Sequence, residues 1–404
     1  MNKFLILLFF ILCSGILFPQ SSSLLLYEKK FTSVTGAEGL LTLHKAFYSF
    51  EEKFLPPNPF ENQKKSSKIY NGIYRAVKTA AIDYPVDYLI GLTQHEVFGH
   101  GARFNEFNYT NCSFHLSLPF PYGKGHGFAE GYPPINSTLD QSMSMIVSGN
   151  ESNTVLSEIL RTKWLTDDSI HYRDFFLYAG GFHNTTQYIV TNLKKSYGDI
   201  ASYLLDIEIK YYSETGKKYT IDDLKKFAFI NLLDPFQYIA FFNWANYLAS
   251  GKQKEKLLMI KLGKLRYLPS FNLGLSPFGA EFYFYNYLKS EKHLYKFFFR
   301  YGDPKFVNFY GGGISATNII HRKNFLFDAT ADFWNQPSLT LQDEKNKTRK
   351  TNDGFGTCLS GTLSCHIMNK VNLVLISGYK TDGFVQGEAL SKGFFLRTGF
   401  GFHY

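Results

Sequence analysis

Beyond its first twenty residues the chain has no run of eighteen consecutive apolar residues, which excludes a helical membrane span after that point. The nearest approach, Phe227 to Ala249, is interrupted by Asn231, Asp234, Pro235, Gln237, Asn243 and Asn246. Those polar groups would have to enter hydrocarbon, so the segment reads as two packed helices broken at Asp234-Pro235. Cysteine is scarce as well, at four in 404 residues. Cys13 lies in the leader, and Cys112, Cys358 and Cys365 are too few for a disulfide scaffold. Cys358 and Cys365 are seven apart, so one straight strand would point them to opposite faces. Acidic residues are outnumbered, giving a net charge of +9. The excess sits in lysine clumps at Lys64, Lys65 and Lys68, at Lys252 to Arg266, and at Lys345 to Lys350. For an exported chain this predicts no nucleic-acid partner. Outer-membrane lipid headgroups fit the clumps, and so do plain solvated loops.

Export is what the N-terminus predicts. Lys3 gives a positive start, Phe4 to Phe18 form a short apolar core, and Gln20 and Ser21 to Ser23 follow. This is the layout of a secretory signal peptide over residues 1–20. An uncleaved anchor is the alternative. Lipidation of Cys13 is disfavoured because Leu12 stands where a small residue is wanted. The remaining length has room for two domains. Aromatic residues are abundant, with 41 Phe and 28 Tyr, and girdles at two membrane interfaces are one physical use for such a surplus.

Hydrophobic spacing divides the chain into unlike parts. Residues 21–264 are mainly helical in pattern. Pro85 opens a helix carrying Val86, Leu89, Ile90 and Val97 on one face, and Val155, Leu156, Ile159, Leu160 and Trp164 mark another. Thr220 and Asp223 cap a third. Between the first two lies a stretch rich in Gly, Pro and aromatics, from Gly101 to Gly149, long enough to hide short strands or serve a function. Residues 265–404 switch to a period of two. Tyr295, Phe297, Phe299 and Tyr301 alternate with Lys296 and Arg300, and Phe394, Leu396, Thr398, Phe400, Phe402 and Tyr404 alternate with Arg397, Gly399, Gly401 and His403. Strand-length segments of this kind recur about eight times, one face aromatic and the other small or charged. The terminal aromatic, with apolar residues at every second position before it, resembles the C-terminal signature of Gram-negative outer-membrane β-barrels. The resulting expectation is an α+β chain: a mainly helical domain followed by an antiparallel barrel of about eight strands in the outer membrane. A soluble sandwich or lipocalin-like barrel is the competing architecture.

One cluster carries chemistry: Thr93-Gln94-His95-Glu96-Val97-Phe98-Gly99-His100-Gly101. Zinc sites in helical hydrolases use two imidazoles from one helix, with a glutamate beside the first as general base. Histidines four apart share a helical face. Here they are five apart, so their directions diverge by about 140° on a regular helix. A one-residue bulge would bring them together, with Gly99 permitting the irregular backbone. At these six residues the chain resembles dipeptidyl peptidase III, a zinc peptidase with a His-Glu-x-x-Gly-His helix. That resemblance implies zinc on His95 and His100, Glu96 as base, and a third ligand from a glutamate some fifty residues on. Glu151 lies 51 residues after His100, although Asn150 and Val155 depart from the family's Glu-Glu-x-x-Ala-Asp pattern. Glu151 also fits a capping box with Ser148, and Glu158 is the reserve ligand.

His126, in a Gly-rich stretch, is either a substrate-facing loop residue or merely exposed. His115, His171 and His183 show no partner, and Asp167-Asp168 reads as a solvated turn. The functional expectation is a zinc metallopeptidase, with another envelope amide or ester open to the same chemistry. A non-peptidase metal hydrolase acting on envelope lipid or glycan is a further reading. The alternative is a non-enzymatic porin or adhesin with a helical plug.

Overall fold

The computed structural model of the protein describes residues 23–60, 65–117, 121–122, 127–191, 198–322, 325–342, 347–368 and 371–402. The leader, His126 and Tyr404 lie outside the described residues. The chain is α+β, its helices N-terminal to a large antiparallel sheet. Ten strands make that sheet: β1 (Ser23–Tyr27), β2 (Ile260–Leu262), β3 (Leu265–Ser276), β4 (Gly279–Lys289), β5 (Leu294–Gly302), β6 (Tyr310–Arg322), β7 (Phe325–Gln336), β8 (Gly354–Met368), β9 (Val371–Lys380) and β10 (Gly393–Phe402). From β2 to β10 it is a meander, each strand pairing with the next. The N-terminal β1 is laid beside β10, with Ser23 opposite Phe402 and Tyr27 opposite Thr398. The eight strands expected from residue 265 onward are therefore present, and β1 and β2 extend the sheet to ten. Among the described residues the sheet is open rather than closed, with β1 and β2 as its edges. Cys358 and Cys365 both lie in β8 and are unbonded.

The pleat sorts side chains as the period-two pattern predicts. In β5, Phe299 is 64% exposed and Arg300 4%; in β10, Phe394 is 84% exposed and Arg397 3%. One face thus carries aromatic and aliphatic groups outward, and the other carries charge inward. The inward charges do not meet an open lumen, because the helices occupy that side. Arg397 donates to Glu28 at 2.9 Å and to Glu388 at 2.5 Å. Lys296 donates to Glu158 on a helix at 2.5 Å, and Arg300 pairs with Glu281 at 3.2 Å. Inward positions such as Arg397 are therefore buried ion-pair members. A tolerant lumen surface, the natural expectation for a water-filled barrel, does not describe them. Removing one partner of such a pair leaves an uncompensated buried charge.

The helical body consists of α1 (Ser33–Glu51), α2 (Lys65–Lys78), α3 (Tyr84–His95), α4 (Gly101–Glu106), α5 (Leu139–Asp167), α6 (Asp174–Phe182), α7 (Asn184–Thr191), α8 (Asp199–Thr215), α9 (Ile221–Ala228) and α10 (Pro235–Ser250). At the centre is α5, 29 residues long and buried on most of its circumference. Leu156, Leu160 and Trp164 of α5 pack with Phe236 of α10 and with Tyr285 and Tyr287 of β4. Small Ser and Gly side chains on α5 let neighbours approach closely. Its start is Thr138, which forms a capping box with Gln141. Ser148 and Glu151 are consequently mid-helix, and the capping role considered for Glu151 does not arise. Thr220 and Asp223 do cap α9, and Asp234 caps α10 with Pro235 in its first turn. The Gly- and Pro-rich stretch contains a hairpin of Thr110–Leu116 with Gly127–Tyr132. No helix among the described residues is long and apolar enough to cross a membrane, which leaves crossing by strands open.

Candidate metal centre

The bulge required by the five-residue histidine spacing is present. After α3 the backbone passes through a π-helical turn at Glu96–His100, closed by the Gly101 N–H donating to the Glu96 carbonyl, before α4 resumes regular winding. The wider turn accommodates one extra residue, so His95 and His100 come to the same side with ring centroids 5.0 Å apart. Gly99 has a role beyond backbone freedom. A Cβ there would fall 2.7 Å from the Gly149 Cα and the Ser148 carbonyl of α5. On the opposite helix, a Cβ on Gly149 would fall 2.3 Å from His95 Nε2. The two glycines allow the helices to cross at backbone contact, and the crossing seats His95.

The third member of the cluster is Asp199, in the first turn of α8. His95 Nε2 lies 3.2 Å and His100 Nε2 3.6 Å from the same Asp199 Oδ2. One ligand-type atom from each of His95, His100 and Asp199 lies within 4.8 Å of the others. Zinc bonds of about 2.0–2.1 Å imply ligand-to-ligand edges of about 3.3–3.4 Å in a tetrahedron, so the separations of 3.2 Å and 3.6 Å fit a cation between these groups. The outer hydrogen bonds fix the imidazoles in the required tautomer. His100 Nδ1–H donates to the Met145 carbonyl at 2.9 Å, and His95 Nδ1–H donates to the Asn184 amide oxygen at 3.2 Å. Both Nε2 atoms are thereby turned toward Asp199 Oδ2. Without a metal, the Asp199 carboxylate holds the cluster's positive charge. Burial alone would depress the His100 pKa, yet Asp199 raises it to about 9. Burial would raise Asp199, and the His100 charge instead holds it well below the usual carboxylate range.

Glu96 is buried on the π-helical turn, directly after His95 in sequence, and its charge acts on both His100 and Tyr188. It lies beside the cluster, outside the three-residue set. Tyr188 of α7 stacks on the His95 ring at 5.4 Å and places its hydroxyl 3.5 Å from His95 Nε2. Burial raises the Tyr188 pKa, so the phenol keeps its proton. Asn153 of α5 approaches His95 Nδ1 at 3.5 Å. A cleft of about 560 Å³ opens from this corner, with His95, Asn153, Asn184 and Tyr188 at one end.

Sequence reasoning placed His95, His100 and Glu96 together, and the structure brings those three to one site. It does not bring Glu151. That carboxylate accepts from Arg103 at 3.1 Å through both oxygens, and from the Gly387 backbone N–H at 2.6 Å. Buried and doubly paired, it ties α5 to α4 and to the loop between β9 and β10. The reserve candidate Glu158 pairs with Lys296. Of the remaining histidines, His115 is exposed on the hairpin near Glu130 at 3.7 Å, His171 faces Glu52 at 3.5 Å, and His183 bonds Gln237 at 2.8 Å and lines the cleft. Asp168 is a left-handed helix end paired with Arg266 at 2.5 Å. Asp199, Asn153, Asn184 and Tyr188 were not singled out from sequence. The one local cue for Asp199 is its place after Gly198, which adopts φ +103° at the start of α8.

No protein-family model matches the chain, and no curated protein matches it. Among solved structures, the NanC porin in a rhombohedral crystal form is similar over 36% of this chain and 76% of its own, at 17% identity and a TM-score of 0.26. A similarity of that size carries no argument about fold or function.

The geometry separates Asp199 from Glu151 as ligand. Purified protein should hold about one zinc. Asp199→Ala, His95→Ala and His100→Ala should each lose it by metal analysis, while Glu151→Gln should keep it and lower thermal stability. Zinc lost from Glu151→Gln and kept by Asp199→Ala would reverse the assignment.

Proposed function

We propose that the chain is an outer-membrane protein whose apolar sheet face meets lipid hydrocarbon, and whose helical body, set against the inner face, is a zinc-dependent hydrolase. The hydrolase reading rests chiefly on one observation: two imidazole nitrogens converge on one carboxylate oxygen, with a buried glutamate adjacent and a cleft leading away. His95, His100 and Asp199 would hold the zinc. Zinc in such a set lowers the pKa of a water molecule and polarises a carbonyl. Glu96 accepts the proton of the attacking water and returns it to the leaving group. Tyr188, still protonated, is placed to donate to negative charge on the substrate oxygen. The scissile bond is an amide or ester of a peptide or another envelope component.

The membrane reading is supported by the outward face of the sheet. Phe299, Tyr301, Phe333, Leu359, Phe394 and Leu396 are all exposed there, and exposed apolar surface of this kind marks a membrane or partner face. The sheet would then form the wall of a barrel, and residues 265–404 would supply most of it. A second reading, a non-enzymatic barrel with a helical plug, is favoured by the contacts that fasten α5 to the inner face, Lys296 to Glu158 and Lys289 to the Leu165 and Thr166 carbonyls.

Two experiments test these halves. Phe400→Lys should cost about 2–4 kcal/mol if that residue lies near the middle of a bilayer, and it should assemble poorly in membranes beside Phe400→Leu. Equal assembly, or wild-type protein soluble without detergent, contradicts the membrane reading. Glu96→Gln should keep zinc and fold while losing hydrolysis by at least about 10²-fold, measured across peptide, amide and ester substrates near neutral pH. A plug would show no activity to lose, and activity equal to wild type would remove Glu96 as the base.

A further inference from the structure

The cleft beside His95 differs from the rest of the protein's interior in one respect: it is almost uncharged. No lysine, arginine or glutamate is among the described residues that line it, although such groups are paired throughout the rest of the helical body. Its one carboxylate, Asp87, is already engaged by His44 at 2.7 Å, by the Tyr48 hydroxyl at 2.8 Å and by the Leu177 N–H at 3.2 Å. Burial holds His183 below its ordinary pKa, so it is neutral near pH 7. Tyr84, Tyr88, Leu92, Phe176 and Leu177 give the cleft aromatic and aliphatic wall, and Gln187 and Thr191 add two uncharged polar side chains. Polar amides and hydroxyls are gathered at the His95 end, in Asn153, Asn184 and Tyr188.

Two glycines hold the cleft open. Gly91 of α3 and Gly180 of α6 both line it, and a Cβ at either would meet nothing within 4 Å. Gly181 beside them has the opposite environment, its Cβ falling 2.9 Å from the Asn153 carbonyl. The space at Gly91 and Gly180 is therefore cleft volume rather than helix packing. Exposed apolar side chains also occur elsewhere on the helical body. α2 runs through a π-helical turn at Thr79–Asp83 into α3, and it exposes Ile69, Ile73 and Val77; Val190 of α7 is also exposed.

We propose that this cleft takes the acyl chain of a lipid amide or ester, presenting its carbonyl to the cluster at His95. The inference rests on the hydrolase reading and narrows its substrate class. An acyl chain asks only for apolar wall. A peptide chain of two free ends brings an ammonium and a carboxylate, and the described lining meets them with no lysine, arginine or glutamate.

The test separates chain binding from hydrolysis. Full-length protein in vesicles is photolysed with an uncharged N-methyl amide of a diazirine-bearing fatty acid, and labelled peptides are mapped by mass spectrometry. Label should fall on segments 84–92 and 176–191. Gly180→Phe should abolish it, with Gly91→Phe as the second variant should the first fail to assemble. Glu96→Gln should label as wild type, because binding the chain needs no base. In hydrolysis, shortening the acyl group should cost about tenfold or more per few carbons removed. Labelling unchanged by both glycine variants, or confined to other segments, overturns the acyl assignment. So does protection by a blocked apolar peptide but not by excess fatty amide, which would make the cleft a peptide site. Intact labelling without hydrolysis of any substrate contradicts the enzyme reading alone.

Discussion

The arrangement depends on one close crossing. Where α3 runs into its π-helical turn it meets α5 with no side chain between them, Gly99 against Gly149. Hydrogen bonds flank the contact: the Ser152 hydroxyl donates to the Gln94 carbonyl at 2.8 Å, and the Gln94 amide donates to the Ser152 carbonyl at 3.0 Å and to the Ser33 carbonyl at 3.0 Å. These bonds satisfy polar groups that the close approach buries. They also set the rotation of α3 about its axis, and with it the direction of His95. A methyl group on Gly99 would force the helices apart, and one on Gly149 would displace the His95 ring. The Met145 carbonyl that orients His100 belongs to the same stretch of α5, so one contact positions both imidazoles.

A second constraint follows from the sheet. Its exposed face is apolar, while its covered face mixes apolar groups such as Leu268, Tyr285 and Tyr287 with buried charge. Arg397, Lys296 and Arg300 would be costly in an apolar interior unless each met a carboxylate with good geometry. The helical body and the loop between β9 and β10 provide those carboxylates as Glu158 and Glu388, and Glu28 and Glu281 supply the others. Glu151, which sequence alone made a metal ligand, belongs to this fastening through Arg103 and Gly387. The same network that attaches α5 to the sheet therefore holds the helix against which the histidines are seated.

Much of this was legible in the sequence because it is local. Strand faces in β5 and β10 follow from alternation, since the pleat alone decides which side Phe299 and Arg300 occupy. The break at Asp234-Pro235 and the cap at Thr220 follow from backbone chemistry over a few residues, and the histidine spacing demanded the π-helical turn. What failed to show was non-local. β1 is a short apolar segment that pairs with the opposite end of the chain, and nothing within Ser23–Tyr27 announces that partner. Glu151 was misread because its distance from the motif matched a known pattern, while α5 starts earlier, at the Thr138 box. Asp199 lies about a hundred residues beyond the motif and reaches it only through the packing of α7 and α8 on α5.

The central claim is that His95, His100 and Asp199 form one metal site. Zinc-edge X-ray absorption on full-length protein purified in detergent tests it most directly. The account predicts about one zinc per chain, with two imidazole nitrogens and oxygen donors at about 2.0–2.2 Å and no sulfur near 2.3 Å. Protein that carries no zinc when supplied with it, or a shell containing sulfur or a single imidazole, would contradict it.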